Sequence, residues 1–415
     1  MQENVFLLQE NHFFCRNKTT ERSGFLLTAK TKNGRMISLI GDLDKAELKK
    51  VTETEILYCP VCEEKVRMKA GNIRIWHFAH VSKMNCKLQL ENESEYHLQG
   101  KIHLYYWLTN QGISVELEKY LPRIMQRPDL LVKWNNHEYA IEFQCSTIDS
   151  DILIKRTKSY LNENIKPIWI LGGNRFKRFS PHTLKITSFD LLMGHISNEI
   201  DLSLIYFCPS SNRFNIASKL IPFSSNTFLA NTQFYSPNQI SFDQMIIPKK
   251  VDKGFNCGTW LSLKERWRTS RFLYVQDYFK RLFYHKGVSV SLLPGVVGIP
   301  NKTMIWIKTD AILWQGWILV KYILPLKQGE TITFTQIYKG FKEEVRFGHF
   351  KIRNLPFLIN SHYSFAIMEY LQKLVELGLI SKAENSITFR KEKNPRMPKN
   401  IEEALRQDRE IIRKL

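Results

Sequence analysis

The sequence predicts a multidomain α/β protein whose core runs helix, three strands, helix, strand. A metal-binding β unit precedes this core, and a basic, mainly helical region follows it. Three features lead to this prediction: a hairpin carrying two acids within 127–144, three cysteines and two histidines between 59 and 86, and bases alternating with aromatic residues over 254–286. A chain of 415 residues is long enough for two or three domains, and the predicted bounds are 1–90, 91–190 and 191–415.

The N-terminal unit contains a cluster spaced Cys-x2-Cys-x14-His-x2-His-x5-Cys, formed by Cys59, Cys62, His77, His80 and Cys86. Thiolates and imidazoles at such spacing are typical of a tetrahedral zinc site, which has room for four of these five. We favour Cys59, Cys62, His80 and Cys86, with His77 as the alternate or as a hydrogen-bond donor to a ligand. A fully occupied site of this kind is structural. The alternatives are a redox dithiol or unrelated buried cysteines.

The central hairpin turns at Asn135-Asn136, because asparagine tolerates the positive φ of a two-residue primed turn. Such a turn places Asp129 opposite Glu142, and Gln144 projects on the same side as Glu142. Two carboxylates and an amide oxygen would then converge, which suits Mg²⁺ or Mn²⁺ and hydrolysis of a phosphodiester. The alternative is an edge hairpin with solvated acids, but its apolar flanks favour an inner hairpin.

The elements around the hairpin complete the core. Residues 92–110 and 151–162 have helical spacing, whereas 113–121 and 166–173 have the pattern of strands. This order resembles the PD-(D/E)xK nuclease superfamily, which has a restriction-endonuclease-like αβββαβ core. The resemblance implies catalytic positions at Glu95, Asp129, Glu142 and Gln144.

One position departs from that superfamily, since lysine is usual where this chain has Gln144. A cation from a helix could replace it, and the candidates by position are Lys101, Lys155 and Arg156. His97 lies on the same helix face as Lys101 and could act as a general base or as a hydrogen-bond partner of phosphate.

The cysteine and histidine pattern is followed by Ser-Glu-Tyr-His (94–97), Arg-Pro-Asp (127–129), Ile-Glu-Phe-Gln (141–144) and Pro-Ile-Trp-Ile (167–170). Together these motifs resemble the competence protein CoiA family. The resemblance implies a cytoplasmic factor of natural transformation, which acts when incoming single-stranded DNA is recombined into the chromosome. It also implies a place near the RecA recombinase.

Composition limits the partners. A formal net charge of +20 favours a polyanion such as nucleic acid. No apolar stretch is long enough to span a membrane, because the best candidate, 311–326, is interrupted by Gln315, Gly316 and Lys321. Seven cysteines, an odd number, and an N-terminus without a secretory signal favour a cytoplasmic location.

The C-terminal region carries the remaining candidates for DNA contact. The basic side chains of 254–286 could bind phosphates along a DNA strand, and its aromatic rings could stack on unpaired bases. Aromatic residues at this helical spacing are, however, more typical of the buried face of a helix. The predicted DNA-binding residues are Arg127, Arg156, Arg266, Arg268, Arg271, Lys280 and Arg281. Residues 362–389 read as a helix, a turn and a strand, which indicates a winged-helix-like element that binds DNA or protein.

These observations favour a Mg²⁺- or Mn²⁺-dependent deoxyribonuclease that processes single-stranded or branched DNA during recombination in competence. The alternative is a recombination mediator that keeps the nuclease fold and binds DNA without cleaving it. An RNA-processing nuclease fits the same site residues.

Overall fold

A computed structural model describes residues 25–41, 43–71, 74–82, 86, 94–196, 202–247, 255–270, 275–358, 361–383 and 387–414. The chain divides into two compact units, Met1–Ser94 and Glu95–Leu415. Within the described residues, none of the helices combines the length and apolar character that crossing a membrane requires.

The first unit is a five-stranded sheet with one helix. Its elements are β1 (Thr28–Thr31), β2 (Met36–Ser38), α1 (Lys45–Thr54), β3 (Leu57–Tyr58), β4 (Lys65–Lys69) and β5 (His77–His80), and the strand order is β2-β1-β3-β4-β5. Helix α1 begins at a capping box in which Asp44 accepts from the Glu47 amide and Glu47 accepts from the Asp44 amide. Phe78, Leu26 and Leu57 are buried in a small core.

The second unit opens with the predicted order of elements. They are α2 (Glu95–Thr109), β6 (Ser114–Leu117), β7 (Leu130–Trp134), β8 (His137–Gln144), α3 (Ser150–Asn162) and β9 (Ile165–Gly172). The Asn-Asn turn has the predicted geometry, with φ of 48° at Asn135 and 60° at Asn136. Trp134 pairs with His137 and Leu130 with Ile141, so the predicted register is confirmed.

The sheet continues beyond residue 190, the position of the predicted domain boundary. Strands β10 (Lys177–Ser180) and β11 (Thr183–Lys185) precede this position, and β12 (His195–Ile196), β13 (Leu202–Cys208), β14 (Arg213–Pro222) and β15 (Thr227–Tyr235) follow it. The strand order is β10-β11-β15-β14-β13-β9-β8-β7-β6, and β12 pairs with β13. The parallel pairs β8–β9, which α3 joins, and β9–β13 are followed in the same sheet by the antiparallel pairs β13–β14 and β14–β15. Short helices α4 (Ser188–Leu192) and α5 (Phe242–Ile246) flank it.

The remaining residues form a helical region with a small sheet. Its elements are α6 (Cys257–Thr269), α7 (Asp277–His285), α8 (Ala311–Ile318), β16 (Thr331–Thr333), α9 (Phe334–Arg346), α10 (Tyr363–Glu376), β17 (Ile380–Lys382), β18 (Thr388–Lys391) and α11 (Ile401–Ile412). The apolar stretch that begins at Ala311 forms α8, which is buried along its whole length. The small sheet has the order β16-β18-β17. Helix α10 and strand β18 lie where the sequence predicts a helix and a strand, whereas β17 lies within the segment that is predicted to be a turn.

The helical region and the large sheet share their cores. Phe223 and Leu229 of the sheet belong to the same buried cluster as α8 and α10. Arg353 reinforces this packing, because its Nη1 donates to the carbonyls of Ile305 and Ile307 and its Nη2 donates to those of Ser224 and Ser225. The β14–β15 turn is thereby attached to the helical region.

Candidate active site and metal centre

Asp129 immediately precedes β7, and its carboxylate lies against the start of α2. Oδ2 accepts from the backbone amide of Phe143 at 2.8 Å and lies 3.2 Å from His97 Nε2, while Oδ1 lies 3.6 Å from Lys101 Nζ. Burial raises the pKa of Asp129, but His97, Lys101 and the Phe143 amide together lower it by more, and the net result is a pKa well below the usual value. Asp129 is therefore an anion at neutral pH.

Glu142 lies on β8 next to Phe143 and is 2% exposed. Its Oε1 accepts from the Tyr160 hydroxyl at 2.5 Å and lies 2.8 Å from Arg156 Nε, and both partners belong to α3. Burial and the neighbouring carboxylate raise the pKa of Tyr160 well above its usual value, so this hydroxyl remains a donor. The structure thus brings Asp129 to the backbone beside Glu142, but their side chains contact different helices.

Packing explains how α2 reaches this edge of the sheet. A Cβ at Gly100 would lie 1.9 Å from the Phe143 ring, so only glycine lets the helix lie directly on β8 at this point. His97 stacks on the same ring, with centroids 5.7 Å apart. The side chains one helical turn apart, His97 and Lys101, then reach Asp129 together.

Glu118 is a further acid of the site, which the sequence patterns did not indicate, and it is buried just after β6. Its Oε1 accepts from Lys101 Nζ at 2.6 Å, and its Oε2 lies 3.9 Å from Arg127 Nη1. The sequence analysis places Glu118 within the predicted strand 113–121, whereas in the structure it follows β6 with a positive φ of 50°. Glu118, Asp129, Lys101 and Arg127 form one ion-pair network, and the Glu142–Arg156 pair is connected to it because Arg156 Nη2 donates to the Arg127 carbonyl at 3.1 Å. We call these six residues the acid network; Glu118 and Glu142 are buried, and Asp129 is partly buried.

The other predicted catalytic residues lie apart from this network. Gln144 is buried and its Nε2 donates to the Ser146 carbonyl at 3.0 Å. Glu95 is exposed at the first turn of α2, and Lys155 is exposed on α3. Among the candidates for the missing lysine, Lys101 and Arg156 thus lie beside the acids, whereas Lys155 faces solvent.

The Cys/His cluster of Cys59, Cys62, His80 and Cys86 occupies the first unit. Cys59 and Cys62 lie in the turn between β3 and β4, and His80 ends β5. The four ligand atoms lie within 4.8 Å of one another, and Cys62 Sγ is 3.2 Å from His80 Nε2. Ligand atoms about 3.5 Å apart surround a tetrahedral zinc ion, so the cluster has the dimensions of such a site.

His77 is directed elsewhere. Its Nδ1 contacts the Ile75 carbonyl at 2.8 Å, and its ring packs edge-on against Phe25 at 4.3 Å. Of the five candidate ligands, the four that were favoured from sequence are therefore the four that the structure brings together.

Comparison with known proteins gives consistent matches along the chain. Three family models match: competence protein CoiA, N-terminal domain (residues 40–89), nuclease-like domain (93–250) and C-terminal domain (255–405). The chain belongs to the competence protein CoiA family. Competence protein CoiA of Bacillus subtilis (strain 168) is 28% identical over 359 residues, which cover 85% of this chain and 93% of that protein. No solved structure gives a significant match.

Membership of the CoiA family supports a role in competence. The family's nuclease-like domain contains the acid network and all strands of the large sheet, and it extends to 250 rather than 190. The family's C-terminal domain, matched over 255–405, contains the helical region up to the first residues of α11.

The donor set at the nuclease-like site is compatible with a magnesium ion. Mg²⁺ is commonly held by one or two carboxylates, with water and substrate phosphates filling the other positions. Asp129, which immediately precedes β7, and Glu142, which lies on β8, are two such carboxylates. Among the described residues, the Cys/His cluster is the only group of three or more His, Cys, Asp or Glu side chains with ligand atoms within 4.8 Å of one another. Within the part of the chain that the structure describes, the nuclease-like site therefore offers two carboxylates and no all-protein cage of three or more such ligands.

One predicted DNA contact in the CoiA C-terminal domain is wrong. Arg268 is 3% exposed, and its Nε and Nη2 donate to both carboxylate oxygens of Asp408 at 2.7 and 2.9 Å. Lys264 is also buried and lies 2.7 Å from Asp408. Residues 260, 263, 264, 267 and 268 make the buried face of α6, so Arg268 faces the core and its charge is neutralised there.

The other residues predicted to contact DNA differ in their exposure to solvent. Arg266, Lys280 and Arg281 are exposed, while Arg127 and Arg156 belong to the acid network. Arg271 lies outside the described residues. Phe279 and Phe283 are buried, so these rings belong to the core and do not stack on bases.

Proposed function

We propose that this chain is a DNA-processing factor of competence whose nuclease-like domain cleaves DNA phosphodiesters with the help of Mg²⁺ or Mn²⁺. The observation that carries the proposal is a buried ammonium beside an anionic carboxylate: Lys101 Nζ lies 3.6 Å from Asp129. Lys101 on α2 would supply the cation that the PD-(D/E)xK superfamily usually has at the position of Gln144. The proposed context is recombination of incoming single-stranded or branched DNA.

The residues around Asp129 and Glu142 have roles that follow from their contacts. Asp129 and Glu142 would hold the ion, which when bound polarises the phosphoryl oxygen and activates a water molecule. His97 and the Phe143 amide fix the orientation of the Asp129 carboxylate. Tyr160 and Arg156 do the same for Glu142. Gln144 fixes the backbone after β8 through Ser146, and Lys101 stabilises negative charge beside Asp129.

Cleavage assays test this proposal. Labelled single-stranded, duplex and branched DNA are incubated with the protein and Mn²⁺, with and without EDTA. We expect products that EDTA prevents, and a loss of about a hundredfold or more in Asp129→Asn and Glu142→Gln, because each removes a charged ligand. Glu138→Gln is the matched control, since Glu138 lies on the same strand but is half exposed and pairs with Lys133. Unchanged cleavage by both site variants would contradict the proposal.

The second candidate is a mediator that binds DNA without cleaving it. It is favoured by the same network, in which each buried acid already contacts a basic side chain. Shifted DNA bands without products in the assay above would support this candidate. Binding would then be unchanged in Asp129→Asn, because no ion links that residue to the phosphates.

For the first unit, we propose a structural zinc ion held by Cys59, Cys62, His80 and Cys86. A sheet of short strands with a small core gains its stability from such an ion. With three thiolates and one imidazole the coordination is closed, so no position remains for a substrate.

A further inference from the structure

One part of the large sheet is devoid of acidic residues. Residues 173–187 and 202–235 contain no Asp or Glu, although the chain as a whole has 40. The same segments contain six bases, which are Arg175, Lys177, Arg178, Lys185, Arg213 and Lys219. We call these two segments the acid-free half-sheet; they include β10, β11, β13, β14 and β15.

The outer strands of the acid-free half-sheet place like charges together. Lys177 of β10 pairs directly with Lys185 of β11, and both side chains are exposed. Like charges opposite each other on neighbouring strands destabilise a sheet. An anionic partner lying across β10 and β11 would remove this repulsion.

Exposed aromatic rings accompany these bases. Phe179 is 61% and Phe234 is 46% exposed. The guanidinium of Arg178 lies over the Phe234 ring, 5.8 Å from its centroid, and Phe176 packs edge-on against the same ring at 5.9 Å. A cation above a solvent-exposed ring is a surface on which a base can stack while its phosphate is neutralised.

The residues just before β10 contact the loop that borders the nuclease-like site. Between β9 and β10, Asn174 donates to the Cys145 carbonyl at 3.3 Å and Arg175 donates to the Thr147 hydroxyl at 3.0 Å. Cys145 and Thr147 follow closely after Gln144. Lys177 and Arg178 closely follow Asn174 and Arg175, which contact the loop after β8. A DNA strand bound at Lys177 and Arg178 would thus lie near the loop that borders the proposed active site.

We propose that β10, β11 and β15 of the acid-free half-sheet bind an unpaired stretch of DNA. Because β10 is the edge strand of the sheet, DNA that runs along it would contact Lys177 and Lys185 on one face and Arg178 on the other. Phe179 and Phe234 would stack on its bases. Stacking requires free base faces, so the surface selects single strands over duplex. The inference uses the DNA binding of the proposed function but not its cleavage chemistry.

The test is fluorescence anisotropy of the full chain with a labelled oligo-dT 20-mer and a hairpin duplex, over a range of salt. We expect Phe179→Ala/Phe234→Ala to weaken binding of oligo-dT about tenfold or more and to change duplex binding little. We expect Lys177→Ala/Arg178→Ala to reduce the slope of log affinity against log salt by about 0.7 for every phosphate that these two cations neutralise. Circular dichroism and thermal melting verify that the variants are folded.

Matched controls separate this surface from general effects. Phe365→Ala removes an equally exposed ring, at 46%, from α10, and Lys32→Ala removes an exposed base from the first unit. Both should bind oligo-dT as the unchanged chain does. Equal losses for oligo-dT and duplex in the ring variant, or wild-type affinity in both double variants, would overturn the inference. An absence of cleavage with these binding results intact would refute only the proposed nuclease.

Discussion

At the scale of single residues, the ion pair between Lys101 and Glu118 is the most enclosed part of the site. Both side chains are at most 1% exposed, and Lys101 also contacts Asp129. Removing one member of a buried pair leaves an uncompensated charge, whereas removing both does not. We expect Lys101→Met to lower the free energy of unfolding by about 3–5 kcal/mol, and Lys101→Met/Glu118→Gln to recover most of it. Urea denaturation measures both; an equally unstable double variant would contradict this reasoning.

Asp129 determines how the site responds to acid. Because its pKa is lower in the folded protein, its contribution to stability is complete above the unfolded pKa of about 3.9 and is lost as the pH falls through the folded value. Urea denaturation at pH 7, 5, 4 and 3 should show a decline below about pH 4 that is weaker in Asp129→Asn. The exposed control Glu138→Gln should keep the wild-type decline. Parallel curves for wild type and Asp129→Asn would show that Asp129 is not held as an ion.

Some of these residues could be predicted from sequence and others could not. The register between Asp129 and Glu142 was predictable because a two-residue Asn-Asn turn fixes pairing locally. Glu118 was not, since its contacts with Lys101 and Arg127 depend on how a helix, a loop and a strand pack. Arg268 was assigned to the surface because periodicity identifies a buried face only through its apolar members, and a buried base paired with a distant acid escapes it.

At the scale of elements, the first unit depends on the turn between β3 and β4 being held to the end of β5. We expect His80→Ala to lose zinc and His77→Ala to retain it, because His80 belongs to the cluster of ligand atoms whereas His77 Nδ1 contacts the Ile75 carbonyl. Metal analysis of the purified proteins measures this. Chelation should make the first unit sensitive to limited proteolysis while the second unit resists. Zinc-free wild-type protein, or equal zinc in both variants, would contradict the assignment.

Helices α6 and α11 are joined by Asp408, which is shared by Lys264 and Arg268. Truncation in Asp408→Ala would leave two buried cations without an acid, so we expect a loss of about 3–5 kcal/mol in the free energy of unfolding. The neighbouring Arg409→Ala, whose side chain is exposed, should change it by less than about 0.5 kcal/mol. Chemical denaturation followed by tryptophan fluorescence is suitable, since Trp260 and Trp267 lie on α6. Equal stability of the two variants would show that the network is dispensable.

At the scale of the whole second unit, the large sheet and the helical region share buried clusters, so we expect residues 95–415 to unfold together. Arg353 is the most direct test, because its guanidinium donates to carbonyls on both sides: Ser224 and Ser225 in the sheet, and Ile305 and Ile307 in the helical region. Arg353→Met would leave these carbonyls without their charged donor, at a cost of roughly 3 kcal/mol or more. In hydrogen exchange, peptides from β13–β15 and from α8 should lose the same protection free energy. A loss confined to the helical peptides would mean that the two regions unfold independently.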